Sequence, residues 1–110
     1  MHSKDLIRGT LTPIILRLLH PDGKMYGYEI CQKVKQLTDG SLLIREGSLY
    51  PALHRLKDDG LIQVEEVMIG NRPRRYYQLT EEGRLEAEKR TTEFSQFLQT
   101  MQLFMQKATG

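Results

Sequence analysis

Between Thr80 and the end of the chain lies a proline-free run with room for one element only, a long helix capped by that threonine. Ala87, Phe94, Phe97, Met101, Phe104 and Ala108 fall on its a and d heptad positions, interrupted by Arg90 at d, and Leu98 and Met105 widen the stripe. A helix from Glu81 to Lys107 spans about 40 Å at ~1.5 Å per residue. The chain has 110 residues, 39% of them hydrophobic, which is the profile of one small globular domain. Such a domain is too short to cover the stripe. Leu85 and Ala87 suit packing on their own core, whereas Phe94, Phe97, Leu98, Met101, Phe104 and Met105 call for a second subunit and are the expected dimerisation residues of a homodimer. Gln96, Gln99, Gln102 and Gln106 hold the remaining faces. A Met- and Phe-rich interface of this kind is adaptable, so an apolar small-molecule effector at the dimer interface is the further partner it admits.

Upstream, Leu6, Ile7, Leu11, Ile14, Ile15, Leu18 and Leu19 recur at helical spacing, with Thr12-Pro13 as a cap and first-turn proline and a turn at His20-Pro21-Asp22-Gly23. Ile30, Cys31, Val34 and Leu37 predict a second helix that opens near Tyr26 and closes at Asp39-Gly40. Ser41 to Ile44 is too short for a helix and is expected as an isolated ladder strand. A third, short helix follows, with Ser48 as its cap, Pro51 at its third position and Gly60 as its stop. Ile62 to Val67 and Arg75 to Leu79 read as an antiparallel hairpin whose tip, Ile69 to Pro73, is mobile. Tyr76 and Tyr77 point to opposite faces, so one belongs to the core and the other to the surface.

Charge is placed locally. The net charge is +2, yet the stretch from Gly70 to Tyr77 carries Arg72, Arg74 and Arg75 with no acid, while Glu81 to Glu93 holds five acids against three bases. Three closely spaced guanidinium forks suit phosphate oxygens, and a hairpin carries them beyond the domain body. The bland explanation, a strand edge guarded by charge against aggregation, remains open on the sequence alone. In the third helix Leu49, Ala52, Leu53 and Leu56 share one face. The opposite face presents Pro51 and His54 with Tyr50, Arg55 and Lys57 beside them, and Tyr50 there is apolar surface costly to leave wet. Three helices, the last with a basic polar face, followed by a basic hairpin make the layout of a winged helix-turn-helix DNA binder. The predicted fold is mainly α with a small β-hairpin. Residues 1–80 form the winged helix-turn-helix domain and residues 81–110 the C-terminal dimerisation helix.

Several function classes are disfavoured. One cysteine, Cys31, permits no internal disulfide or thiolate metal cluster, and His2, His20 and His54 lack metal-ligand spacing, so neither metal nor cofactor is expected. Cys31 is expected as a small buried hydrophobe, with a redox-sensing thiol as the alternative. No Ser/His/Asp or Cys/His set and no phosphate-cradling glycine loop speaks for an enzyme. No stretch of 18 apolar residues or secretory leader is present, which leads to the expectation of a cytoplasmic protein without membrane contact. The competing non-enzymatic reading is a dimeric winged-helix module that binds proteins and has lost DNA.

In order and spacing, GTLTPIILRLL, MYGYEI, EGSLYPALHRLKDDGLI and RPRRYYQLTEEG resemble the PadR family of bacterial winged-helix transcriptional regulators, from about Leu6 through Gly83. The resemblance implies a dimeric repressor that binds double-stranded operator DNA of approximate two-fold symmetry, its C-terminal helix touching the partner's N-terminal region. The brief segment after Thr80 is similar to that of the short, single-helix members, which are associated with multidrug or stress responses. Carried over by position, Ser48, Tyr50, Pro51 and His54 look like recognition-helix contacts, Arg74 and Arg75 look like the wing's phosphate ligands, and Tyr26 sits where such proteins often meet a phosphate.

Overall fold

The computed structural model describes residues 2–108. Its elements are α1 (Lys4–Leu19), β1 (Met25–Tyr26), α2 (Gly27–Leu37), α3 (Glu46–Asp58), β2 (Ile62–Ile69), β3 (Arg72–Leu79) and α4 (Glu81–Ala108). The three strands form one antiparallel sheet in the order β1-β3-β2. Four helices, the last of them long, and a small sheet agree with the mainly α class read from the pattern.

Three helices bury their apolar stripes against one another and against one face of the sheet. Leu11, Ile15, Leu16 and Leu19 of α1, Ile30 and Val34 of α2, and Leu49, Ala52, Leu53 and Leu56 of α3 make the core, closed by Ile62, Tyr77 and Leu79 from the sheet and Ala87 from α4. Leu16, which lies outside the sequence-derived stripe, is fully buried because α1 is covered by α3, α4 and the sheet together. Cys31 is half-buried against this core.

Local signals misplace several boundaries. Thr12-Pro13 does not start a helix: α1 begins eight residues earlier, where the Ser3 hydroxyl accepts the Leu6 N–H at 3.3 Å, and Pro13 sits inside it. A proline there removes one donor and crowds the carbonyl four residues back, and tertiary packing of the stripe outweighs that cost. Ser41 to Ile44 is not a strand. Asp39 and Gly40 reverse the chain with φ of 50° and 80°, the Leu42 N–H is held by the Thr38 hydroxyl at 3.1 Å, and Ile44 plugs the core from a loop. The edge of β3 is taken by Met25 and Tyr26 instead, paired with Tyr77 and Tyr76. Arg45, not Ser48, caps α3, which puts Pro51 at the sixth helical position.

The hairpin is also longer and tighter than its sequence suggested. Pairing runs without a break from Ile62↔Leu79 to Ile69↔Arg72, so Ile69, Arg72 and Pro73 belong to strands rather than to a loose tip. Only Gly70 and Asn71 turn the chain, and Gly70 at φ 62° takes the position where a two-residue II′ turn requires positive φ. Tyr77 is buried, while Tyr76 is half-covered by Tyr26 at a 5.5 Å ring separation.

The start of α4 is clamped onto the end of α3. The Thr80 hydroxyl donates to the Gly60 carbonyl at 2.7 Å and accepts the Gly83 N–H at 3.0 Å, and the Thr80 N–H donates to the Leu61 carbonyl at 3.0 Å. Gly83 is pressed so closely on Leu61 that a Cβ would lie 1.9 Å from its carbonyl oxygen. Arg84 to Asp22 at 2.7 Å and His20 to Glu88 at 3.3 Å tie the next turns to the α1–α2 connection. Gly83→Ala should therefore lower stability by about 1–3 kcal/mol, read as a reduced unfolding midpoint. Gly9→Ala, which meets nothing within 4 Å, should leave the midpoint equal or higher.

Candidate nucleic-acid interface

With one face of α3 consumed by the core, its other face is held beside the hairpin. Tyr50, Pro51, His54 and Lys57 of α3, Glu66 of β2 and Arg75 of β3 line a cleft of about 580 Å³ floored by Leu53, Val64 and Tyr77. Apart from Arg55, the residues that the helical pattern placed on the exposed face are thus brought together with one wing arginine. Asp58 reaches back one turn, its Oδ2 lying 3.4 Å from Nε2 of His54. Ser48 is half-buried and lies outside this cleft.

Strand alternation separates the arginines that look like one cluster in the sequence. Arg75 shares the face of Tyr77 and looks toward α3, whereas Arg72 and Arg74 share the opposite face with Tyr76. Arg74 stacks on Tyr26, with Cζ 4.2 Å from the ring centroid, and is half-buried, while Arg72 and Arg75 are exposed. Lys24 approaches the Tyr76 ring at 5.8 Å and pairs with Glu65. Tyr26, Tyr28, Arg72 and Arg74 line a second cleft, about 530 Å³, between the start of α2 and the outer edge of β3.

Together with Glu66, Arg75 and Tyr77, Tyr50 walls both clefts. Its hydroxyl lies across the first residue of α2, where a Cβ on Gly27 would come within 2.6 Å of it, so glycine at that position is what lets the ring lie down. Burial, and then the Glu46 carboxylate, push the Tyr50 phenol up, with Arg75 offsetting part of the rise. Burial likewise pushes the Tyr77 phenol up against the pull of Arg75. Both hydroxyls are neutral donors at physiological pH. A hydrogen bond with Tyr76 heads the causes that push the Arg74 guanidinium up, so it stays charged.

Glu66 is the cleft residue that the sequence did not single out. Its position opposite Arg75 follows from the strand register, which becomes countable only once the turn is known to hold two residues. Along α4, Phe94 is half-buried, and Phe97, Leu98, Met101, Phe104 and Met105 are exposed, Phe97 at 57% and Phe104 at 58%. Leu85 is exposed as well, at 69%, so Ala87 rather than Leu85 makes the packing contact with the core. Arg90, which interrupts the heptad, is turned onto Glu86 at 2.9 Å. Among the described residues no helix is long and apolar enough to cross a membrane.

A helical unit whose third helix faces a basic two-stranded wing defines the winged-helix class. Residues 15–89 match the Transcriptional regulator PadR-like family, and the chain belongs to that family. It is 34% identical to an uncharacterised protein of Lysinibacillus sphaericus across 96% of this chain and 97% of that one. A transcriptional regulator from Clostridium thermocellum superposes with a TM-score of 0.80 at 34% identity, covering 94% of this chain and 98% of its own. PadR of Bacillus subtilis, solved in complex with operator DNA, superposes with a TM-score of 0.65 at 29% identity over 72% of this chain and 45% of that one. The chain is a transcriptional regulator and not an enzyme.

Burial, with a smaller push from Glu46, raises the Cys31 thiol above its ordinary value. The thiolate is the reactive form. Alkylation of Cys31 at neutral pH should accordingly be slower than that of an unstructured cysteine peptide, as followed by intact mass.

Proposed function

We propose that the chain is a homodimeric repressor that reads a two-fold related DNA operator through α3 and brackets the site with its wing. The observation that carries this is the shared cleft. Tyr50, Pro51, His54 and Lys57 face the same space as Arg75, so a helix in the major groove would bring the wing onto the neighbouring backbone. Ser48 in the first turn of α3 and Tyr26 at the start of α2 are taken as further DNA contacts, and Arg72 and Arg74 as phosphate ligands on the wing's other face. The operator-bound PadR of Bacillus subtilis supports the same mode of use. Residues 1–80 act as the reading head and residues 81–110 as the pairing helix.

Pairing is supported by the exposed stripe from Phe97 to Met105, since apolar surface of that extent normally finds a partner. An effector that releases the operator, whether a small ligand or a stress signal, completes the scheme. An apolar groove of about 230 Å³ between α1, α2 and α4, lined by Ile14, Leu18, Leu37 and Phe94 among others, supports an apolar compound in that role.

Arg74→Ala with Arg75→Ala should weaken binding to every DNA sequence and shallow the dependence of affinity on salt by roughly one to two units per protomer. An unchanged slope would remove them from the backbone. His54→Ala should instead erode discrimination between a selected operator and random DNA by about 1–3 kcal/mol; equal losses on both would count against base reading. Phe97→Asp should give monomers in sedimentation, and a dimer that survives at micromolar concentration would move the interface elsewhere.

A further inference from the structure

The end of the hairpin does not look like a surface built only for solubility. Met68 is 61% exposed and Ile69 45%, on opposite faces at the last two positions of β2, and the exposed Pro73 stands directly opposite Met68. Hairpin ends and edges left in water are normally polar or charged. Here charge surrounds the apolar residues instead. Arg72 pairs across the strands with Ile69, and Arg74 follows on the same face. The strands stay paired up to a two-residue turn, so the end is thin and firmly supported.

Building on the operator-reading function, we propose that this tip is an apolar wedge that enters the minor groove and bends the duplex by prising apart one base step. Two adjacent strands lie about 4.8 Å apart, and the minor groove of straight DNA is about 6 Å wide. A tip carrying Met68, Ile69 and Pro73 therefore fits only as the groove opens, and bending toward the major groove opens it. The side chains suit insertion of this kind, since Met, Ile and Pro are wedge residues and arginines beside them meet the negative potential of the groove. The step that yields most easily is pyrimidine–purine, TA or CA/TG. A second copy of the chain is a poor occupant, because a two-fold contact between tips would set Arg72 and Arg74 against their own copies.

The probe is a duplex carrying the motif that the wild-type protein recovers from a random pool, placed at permuted positions in fragments of equal length. Wild type should bend it by ~20–90°, the range of wedge proteins, read from gel mobility. Met68→Ser combined with Ile69→Ser should lose at least half of that bend with the same salt slope, because the arginines are untouched. A second measurement needs no variant: 2-aminopurine at the pyrimidine–purine step flanking the half-site should brighten on binding wild-type protein. Straight complexes, an equal bend in the variant, or an unresponsive 2-aminopurine would each overturn the wedge while leaving operator binding intact, and a variant that no longer dimerises would overturn it by assigning the tip to the contact between copies. Failure of wild type to select any motif would instead remove the operator-reading function, and the wedge with it.

Discussion

What the molecule can present to another is set by how completely α3 is held from behind. Leu49, Ala52, Leu53 and Leu56 are buried to within 2%, and truncating any of the leucines would cost about 2–5 kcal/mol. With that face fixed, the rotation of α3 about its own axis is fixed too, and Tyr50, Pro51, His54 and Lys57 can face only the cleft beside the hairpin. The hairpin is pinned by the same layer, through Ile62, Tyr77 and Leu79. Helix and wing are therefore two readouts of one packed core, and their separation is not free to drift.

Two close contacts sharpen this. Gly27 admits the Tyr50 ring across the start of α2, which couples the exposed face of α3 to the preceding helix. The stack of Arg74 on Tyr26 couples that helix to the wing in turn. A guanidinium so placed is ordered before it meets any anion, and ordering in advance lowers the entropy lost on binding. Among the described residues Arg72 and Arg75 have no such stack, and they remain more exposed.

The sequence announced its long-range features better than its short ones. Helical periodicity located α2, α3 and α4 because burial of a stripe is what stabilises them, and the Thr80 cap was legible because its chemistry is local. Pro13, Ser48 and Pro51 misled for the opposite reason, as local preferences of about 1–3 kcal/mol that a buried stripe overrides. The segment from Ser41 to Ile44 had the composition of a strand, but the place beside β3 is taken by Met25 and Tyr26. The faces of the wing arginines could not be assigned from spacing alone, since a shift of one residue in the turn exchanges Arg74 and Arg75. Glu66 stayed hidden for the same reason. The exposed face of α3 was legible because a helix with four buried positions leaves only one direction for the rest.

The clamp at the foot of α4 has a mechanical side. From the Thr80 and Gly83 joint the helix runs 28 residues, about 42 Å at ~1.5 Å per residue, and its far half lies clear of the body that made it. A tilt of about 10° at the joint sweeps the distal end through roughly 7 Å at that length. Were that end anchored in a twin, the sweep would appear as a change in spacing between two reading heads, against a helical repeat of about 34 Å. A molecule wedged near Phe94 would press on this beam at mid-length, where a displacement is roughly doubled by the time it reaches the far end.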